Sequence, residues 1–355
     1  MHQEPSGVRI MAYTTIDNPE LYFQTKIYTG DGSTPSITLD GDTDMQPDLV
    51  WIKNRDQTDS HCLFDAVRGA TKLLSSDNYN AETTDADTLT SFDSDGFALG
   101  ADVKVNTNTE AYVAWCWKAN GTGSANIEGN TDTTISANTT AGFSIIDGCD
   151  DLNDDDTFGH GLNSAPDMVF LKRRDDISGW RVFYTGITDG STLFLNSSAA
   201  VGDDSATVGP VSSTLITVEG SGTGGYEGDN ENVAYAWHSV QGFSKFGEYT
   251  GNGNVDGVFV YLGFRPAMII VKVTDTVGDW RIFDTTRDTY NVADAIIYPS
   301  VTNAEGTETF ADFLSNGFKT RSSSAAYNGD GNAYIYMAFA ESPFVTSGGV
   351  PCTAR

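Results

Sequence analysis

Basic residues are scarce in this chain of 355 residues, where 20 Lys and Arg face 49 Asp and Glu for a formal net charge of −29. DNA and RNA are held through a basic face that releases condensed counterions, so this balance argues against a nucleic-acid partner. The same charge repels anionic membrane surfaces and reads as a solvated acidic exterior, suited to concentrated salt or a crowded assembly. Long apolar runs are missing as well. No segment reaches the length that crosses a bilayer, and Met1 to Asn18 lacks the apolar stretch of a secretion signal. A soluble chain with no membrane insertion, not exported by that route, is expected. Cysteine is limited to Cys62, Cys116, Cys149 and Cys352, with no CxxC pair and no regular spacing, which supports neither zinc nor a disulfide framework. His2, His61, His160 and His238 are too few and too scattered for a triad or a metal centre.

What the sequence does have is turn chemistry: 37 glycines, abundant Thr, Ser, Asn and Asp, and no long helical heptads, a composition for an all-β fold. One string is written three times, as Pro47-Asp-Leu-Val-Trp-Ile-Lys-Asn-Arg55, Pro166-Asp-Met-Val-Phe-Leu-Lys-Arg-Arg174 and Pro266-Ala-Met-Ile-Ile-Val-Lys-Val-Thr274. A proline, a run of apolar β-formers and a lysine six places on predict a strand buried on both faces. Fourteen residues past the prolines stand His61, Trp180 and Trp280. They open His61-Cys-Leu-Phe-Asp65, Trp180-Arg-Val-Phe-Tyr184 and Trp280-Arg-Ile-Phe-Asp284, whose alternation predicts a second strand with one face wetted. About seventy residues past each proline comes an aromatic strand: Tyr112-Val-Ala-Trp-Cys-Trp117, Asn232-Val-Ala-Tyr-Ala-Trp237 and Tyr334-Ile-Tyr-Met-Ala-Phe339. Cys116, aligned there with Ala236 and Ala338, reads as a small buried residue. Ser91-Phe-Asp-Ser-Asp-Gly-Phe97 and Asp312-Phe-Leu-Ser-Asn-Gly-Phe318 place Asp-Gly and Asn-Gly turns between strands.

These blocks predict three tandem homologous β-sandwich units, lectin-like or jelly-roll-like, over residues 23–120, 142–240 and 241–341. Residues 1–22 form a polar leader placed to dock on a neighbour, and residues 342–355 an extended tail. The Gly-, Thr- and Asn-rich stretch 121–141 reads either as a linker or as a loosely packed strand pair. The join Gln241-Gly-Phe-Ser-Lys245 is short enough to hold the second and third units in a fixed pose.

Residues able to carry chemistry are few. Trp180-Arg181 and Trp280-Arg281 combine an aromatic face with a polar fork, which suits a pyranose ring; recurrence at one place in the repeat favours core or inter-sheet packing instead. His61 shares that position and reads as packing. The acidic loop holding Asp147, Asp150, Asp151, Asp154, Asp155 and Asp156 offers the clustered oxygens calcium requires, without the glycine at the sixth place of a full calcium loop. It reads either as a calcium site or as a solvated loop. Gly220-Ser-Gly-Thr-Gly-Gly225 matches a phosphate-loop spacing, but Tyr226-Glu-Gly-Asp-Asn-Glu231 after it is no helix, so the match is rejected. No cofactor other than calcium is suggested.

The blocks Pro47 to Arg55, Leu63-Phe-Asp-Ala-Val-Arg-Gly69, Ser94-Asp-Gly-Phe97, Tyr112-Val-Ala-Trp-Cys-Trp-Lys-Ala119, Phe158-Gly-His-Gly-Leu162 and Tyr334-Ile-Tyr-Met-Ala-Phe-Ala-Glu-Ser-Pro-Phe344 together resemble a family. It comprises three-repeat, virion-associated structural proteins, fibre-like, of tailed and mainly marine bacteriophages. The resemblance covers Phe23 to Arg355, although the second unit lacks the Ser-Asp-Gly-Phe block. It implies a non-enzymatic protein of the virion surface, assembled in the host cytoplasm, that forms a tail fibre or head fibre used in host attachment. Implied partners are other tail or capsid proteins and a host surface glycan. By analogy with fibres the chain is expected to associate as a homotrimer. A monomer whose three units make a pseudo-threefold body is the alternative. The rival functions are a capsid decoration protein without a receptor and, in a different class, a polysaccharide depolymerase with two facing carboxylates.

Overall fold

The computed structural model describes residues 12–188, 190–204, 207–220 and 230–353. The chain is all-β, built of antiparallel sheets stacked as β-sandwiches. In the first third, β1 (Phe23–Thr29), β2 (Ser36–Thr38), β3 (Leu49–Asn54) and β4 (Cys62–Asp65) are followed by β5 (Lys72–Leu73) and β6 (Thr83–Thr84). Then come β7 (Leu89–Asp93), β8 (Gly96–Leu99), a one-turn helix α1 (Val103–Asn106) and β9 (Ala111–Trp117). The order β1, β9, β3, β4 makes a four-stranded sheet, and β2, β8, β7 lie across from it. The Asp-Gly turn sits between β7 and β8, as its sequence predicts, and Gly96 serves a second purpose. A Cβ there would lie 2.0 Å from the Ile37 carbonyl, so only glycine lets β8 run alongside β2.

The middle third contributes β10 (Ser124–Asn126), β11 (Thr133–Asn138), β12 (Phe143–Asp147), β13 (Thr157–Gly159), β14 (Met168–Arg173) and β15 (Arg181–Tyr184). It continues with β16 (Ser191–Phe194), β17 (Gly202–Asp203), β18 (Thr207–Val211), β19 (Leu215–Glu219) and β20 (Asn232–Trp237). Its large sheet runs β10, β11, β12, β20, β14, β15, β16, β17, opposed by β13, β19, β18. Residues 121–141 are therefore the strand pair and not a linker, because β11 finds ladder partners along β12 from Thr134 opposite Asp147 to Asn138 opposite Phe143. The last third has β21 (Ser244–Thr250), β22 (Phe259–Tyr261), β23 (Phe264–Val273), β24 (Arg281–Asp284), β25 (Ala293–Ile296), β26 (Gly306–Leu314), β27 (Gly317–Thr320) and β28 (Ala333–Pro343). Its sheets are β21, β28, β23, β24 and β22, β27, β26, β25.

Strand side chains alternate between faces, and here the alternation sorts residues between two kinds of core. Along β3, Val50 and Ile52 enter a local core with Phe64 and Phe97, while Leu49 and Trp51 enter a core shared with the other two thirds. Along β14, Val169 and Leu171 go to the local core, Met168 and Phe170 to the shared one. Ile269 and Val271 of β23 divide from Met268 and Ile270 in the same way. The three strands are thus buried on both faces, as their apolar runs predict. In the closing strands Trp115 and Trp117, Tyr235 and Trp237, and Met337 and Phe339 all point into the shared core.

This shared core corrects two expectations. Each third keeps its own local core, but the three are not independent sandwiches in a row, since a further apolar cluster joins all of them. Nor does the second strand of each block have a wetted face: Cys62 to Asp65 and Arg281 to Asp284 are buried throughout, because the outer side is covered by the neighbouring lobe. The ends of the described chain also pack on the body. Tyr13 donates to the Gly263 carbonyl at 2.8 Å, Thr14 to that of Gln241 at 2.7 Å, and Ile16 lies in the shared core. The tail is fixed through Asp17, which accepts the Ser347 amide at 2.6 Å.

With one core in common, the lobes should unfold together. Phe339 stacks on Phe23 at 4.9 Å and meets Trp117, Phe243 and Phe246 edge-on. Phe339→Ala is expected to cost about 3–5 kcal/mol and to lower a single calorimetric transition; separate transitions for the three lobes would contradict the shared core.

Candidate functional site

The seams between lobes carry the most ordered polar chemistry of the molecule, and their contacts recur at fixed places after Pro47, Pro166 and Pro266. Arg55, Arg174 and Thr274 each lie eight residues past their proline. The Arg174 carbonyl accepts from Glu82 at 2.7 Å, that of Thr274 from Val201 at 2.8 Å, and that of Arg55 from Glu305 at 2.8 Å. First lobe holds second, second holds third, and third holds first, so the ring closes. A second ring lies beside it. Trp180 donates its indole N–H to the Ser75 carbonyl at 2.8 Å, and Trp280 to that of Phe194 at 2.9 Å. His61 completes it through Nε2, 3.0 Å from the Tyr298 carbonyl. Trp51 donates to His61 Nδ1 at 2.9 Å, so the ring's proton sits on Nε2 and that nitrogen is the donor.

Two seams are also charged. Between first and second lobes, Asp65 binds Arg68 at 2.5 Å and accepts the Tyr235 hydroxyl at 2.7 Å. Glu82 bridges Arg68, at 2.8 Å, to Arg174 of the other lobe, at 3.0 Å. Between third and first, Asp284 binds Arg287 at 2.6 Å and accepts the Trp115 indole at 3.1 Å, while Glu305 bridges Arg287, at 3.0 Å, to Arg55, at 2.7 Å. Burial pushes the carboxyls of Glu82 and Glu305 up, but the paired guanidiniums outweigh it and hold both below the ordinary value. The seam between second and third lobes has Tyr184, Ile187, Val201, Thr274 and Met337 at the corresponding places, and carries no such ion pairs among the described residues. The exchange is made as a set because a single survivor would be a buried charge without its partner.

The lysine six places after each proline is buried in every lobe. Lys53 caps the carbonyls of Asn54 and Gln57 at 2.6 and 2.9 Å, Lys172 that of Ser178 at 2.9 Å, and Lys272 that of Val273 at 2.6 Å. Burial pushes all three down to about 8. Through Gln57 and Ser178 the ammonium groups of Lys53 and Lys172 hold the turn that follows their strand.

The residues singled out for sugar contact do not form a platform. Trp180 and Trp280 are 0% and 1% exposed and belong to the shared core, so neither has a ring face free to stack on a sugar. Arg181 pairs with Asp204 at 2.9 Å over the Phe194 ring, and Arg281 sits between the Tyr298 and Tyr327 rings. The pattern was legible as a repeat but not as an interface, since an aromatic-basic dipeptide looks the same in either setting. An exposed aromatic pair lies elsewhere: Phe259 and Tyr261, two apart on β22 and 46% exposed each, share the outer face of that sheet. Lys319, opposite Phe259, pairs with Asp256 at 2.8 Å, and Lys245 lies 5.5 Å from the Tyr261 ring. The alternation Val258-Phe-Val-Tyr-Leu262 was the signal available for it.

The acidic loop is spread out by its own hydrogen bonds. Asp147 binds Arg174 at 2.5 Å, yet burial raises its carboxyl to about 6. Asp150 accepts the Asn232 amide at 2.8 Å, Asp154 that of Gly220 at 2.7 Å, and Asp156 that of Asn153 at 2.6 Å. Asp151 and Asp155 are exposed turn residues with left-handed φ of 53° and 65°. Among the described residues no three His, Cys, Asp or Glu side chains converge as metal ligands, and no helix is long and apolar enough to cross a membrane. Ser221 to Gly225 of the rejected phosphate-loop match lie outside the described residues, as do His2 and the rest of the leader up to Met11.

A family described only as a domain of unknown function, DUF7483, matches residues 18–343 of this chain. No curated protein and no solved structure matches it.

Two measurements probe the seams. Arg68→Met strands Asp65 in a dry seam and should cost about 3–5 kcal/mol in urea unfolding; a loss within a few tenths of that of an exposed control would show the pair to be dispensable. His61 is held neutral by burial first and by Lys53 second, its pKa well below the usual value. The unfolded imidazole takes a proton near pH 6.5, so stability should fall as pH drops below that value. In His61→Gln, whose amide can keep both hydrogen bonds, that acid limb should flatten; parallel pH profiles for the two proteins would exclude the assignment.

Proposed function

The chain belongs to the DUF7483 family, and we propose that it is a non-enzymatic structural protein of a tailed-bacteriophage particle, an external appendage used in host-surface attachment. The observation that carries this reading is the closed ring of equivalent seam contacts around one core. Three sheets share the order first strand, last strand, Pro-led strand, fourth strand, which supports three copies of one lectin-like or jelly-roll-like blueprint. A chain that closes this ring by itself is a single-chain counterpart of a trimer. It needs no second copy to complete threefold geometry, which favours the monomeric body, seated at a threefold position of a fibre tip or shell, over the homotrimer. Acidic charge on so stiff a body keeps it dissolved through assembly in the host cytoplasm.

Attachment on this reading falls to Phe259 and Tyr261, whose exposed rings, flanked by Lys319 and Asp256, offer a face and polar groups to a host surface glycan. Gold-labelled antibody on intact particles tests the location, and light scattering on the purified protein tests the monomer. Phe259→Ala with Tyr261→Ala should abolish binding to host cells and leave the melting temperature within about a degree, whereas Trp180→Ala should cost about 3–5 kcal/mol of stability. Full cell binding by the double variant would move the contact elsewhere. Blank glycan and cell binding would leave a decoration protein, and release of reducing sugar from host envelope would make it a depolymerase. A chelator that lowers the melting temperature would restore calcium to the acidic loop.

A further inference from the structure

In the strand order shared by the three sheets, the first strand (β1, β12 or β21) has one side turned away from the last strand, and the chain covers that side along β12 and at the start of β21. On β12 the cover is β11, whose Ser136 lies opposite Ile145. On β21 it is the preceding turn: Val240 and Ser244 exchange backbone hydrogen bonds at 3.1 and 2.9 Å, and Ser239 Oγ accepts the Phe246 amide at 3.2 Å. The corresponding strand in the first lobe is β1, fixed in the same register by Phe23 opposite Trp117, where the others have Phe143 opposite Trp237 and Ser244 opposite Phe339. Lys118 donates to the Tyr22 carbonyl and Gly30 to that of Glu110, so the even-numbered residues of β1 bond β9. The odd-numbered residues Thr25, Ile27 and Thr29 turn their N–H and C=O groups away from the sheet. Among the described residues no strand pairs with this side, the Thr25 hydroxyl has no partner, and its carbonyl receives only the Thr286 hydroxyl at 3.5 Å.

A groove of about 220 Å³ opens at the Phe23 to Thr25 end of this edge, between β1 and the third lobe. Its ionisable lining is Glu20, Asp40 and Glu341, with no cation among the lining residues; Lys26 and Arg265 reach Asp40 and Glu341 from outside. Thr25, Thr285 and Thr286 complete its polar wall.

We propose that β1 is a strand-addition site for an extended, basic segment of a partner polypeptide, laid antiparallel along Thr25 to Thr29 as β11 lies on β12, with a lysine or arginine side chain facing Glu20 and Asp40. An unpaired edge supplies main-chain hydrogen bonds to any extended chain, and the groove's charge selects the basic one. A second copy of this chain is disfavoured by the same charge, since both surfaces are acidic. The inference concerns the edge alone and holds for any particle or host.

The test uses the full chain and a capped nine-residue peptide of alternating valine and threonine carrying two lysines, with a counterpart carrying two glutamates. The lysine peptide should slow amide hydrogen exchange at Thr25, Ile27 and Thr29, with an affinity that falls as salt rises, and the glutamate peptide should not. Ile27→Pro removes one outward N–H and no ladder bond, so it should leave the melting temperature nearly unchanged and weaken peptide binding about tenfold or more. If that variant misfolds, Glu20→Gln with Asp40→Asn serves, with the same loss expected. Unslowed β1 amides at millimolar lysine peptide, equal binding of the glutamate peptide, or undiminished binding by the variants would overturn the proposal.

Discussion

Everything in this fold depends on sheets that are apolar on both faces. A strand presents successive side chains to opposite sides, so Leu49-Val-Trp-Ile52 cannot satisfy itself by packing on one opposing sheet. The local sandwich takes Val50 and Ile52. The surface made by Leu49 and Trp51 must be covered by something else, and the two other lobes bring equivalent surfaces of their own. These apolar faces exclude water by meeting one another, which joins the three thirds of the chain into one body.

Specificity within that body comes from polar groups at its seams. An apolar core tolerates sliding, whereas a carboxylate such as Asp65, held by Arg68 and Tyr235 at once, has one low-energy arrangement. Among the described residues the seam between second and third lobes has no ion pair of this kind, and its Tyr184, Ile187 and Val201 join or pack against the shared core. Both solutions obey one rule: a buried charge is stable only with its full set of partners. Main-chain bonds, which need no particular side chain, close all three seams alike.

Residues of this chain differ in how far they could be read. The Pro-led strands, the Asp-Gly and Asn-Gly turns and the buried Cys116 were legible because each is set by local sequence: a run of β-formers, a turn dipeptide, a small residue among aromatics. The wetted face expected for Cys62 to Asp65 was not there, since polar alternation marks a solvent face only when no other part of the chain arrives to pair with it. Trp180 and Trp280 failed as sugar contacts for the same reason, their indoles already donating across a seam. Phe259 and Tyr261 went unnoticed because an exposed aromatic pair on a strand has the same local pattern as a buried one.

The sequence by itself determined the Pro-led and closing aromatic strands, the Asp-Gly and Asn-Gly turns, the positions that recur after each proline, and the acidic balance of charge, because strand propensity, turn chemistry and charge are properties of neighbouring residues. Only the tertiary structure decided which apolar face meets which, where Asp65 and Asp284 find their partners, and that β1 keeps its edge while β11 covers β12. Those outcomes join residues far apart along the chain, from Arg55 to Glu305 at the extreme, and no local pattern encodes a distance closed by folding.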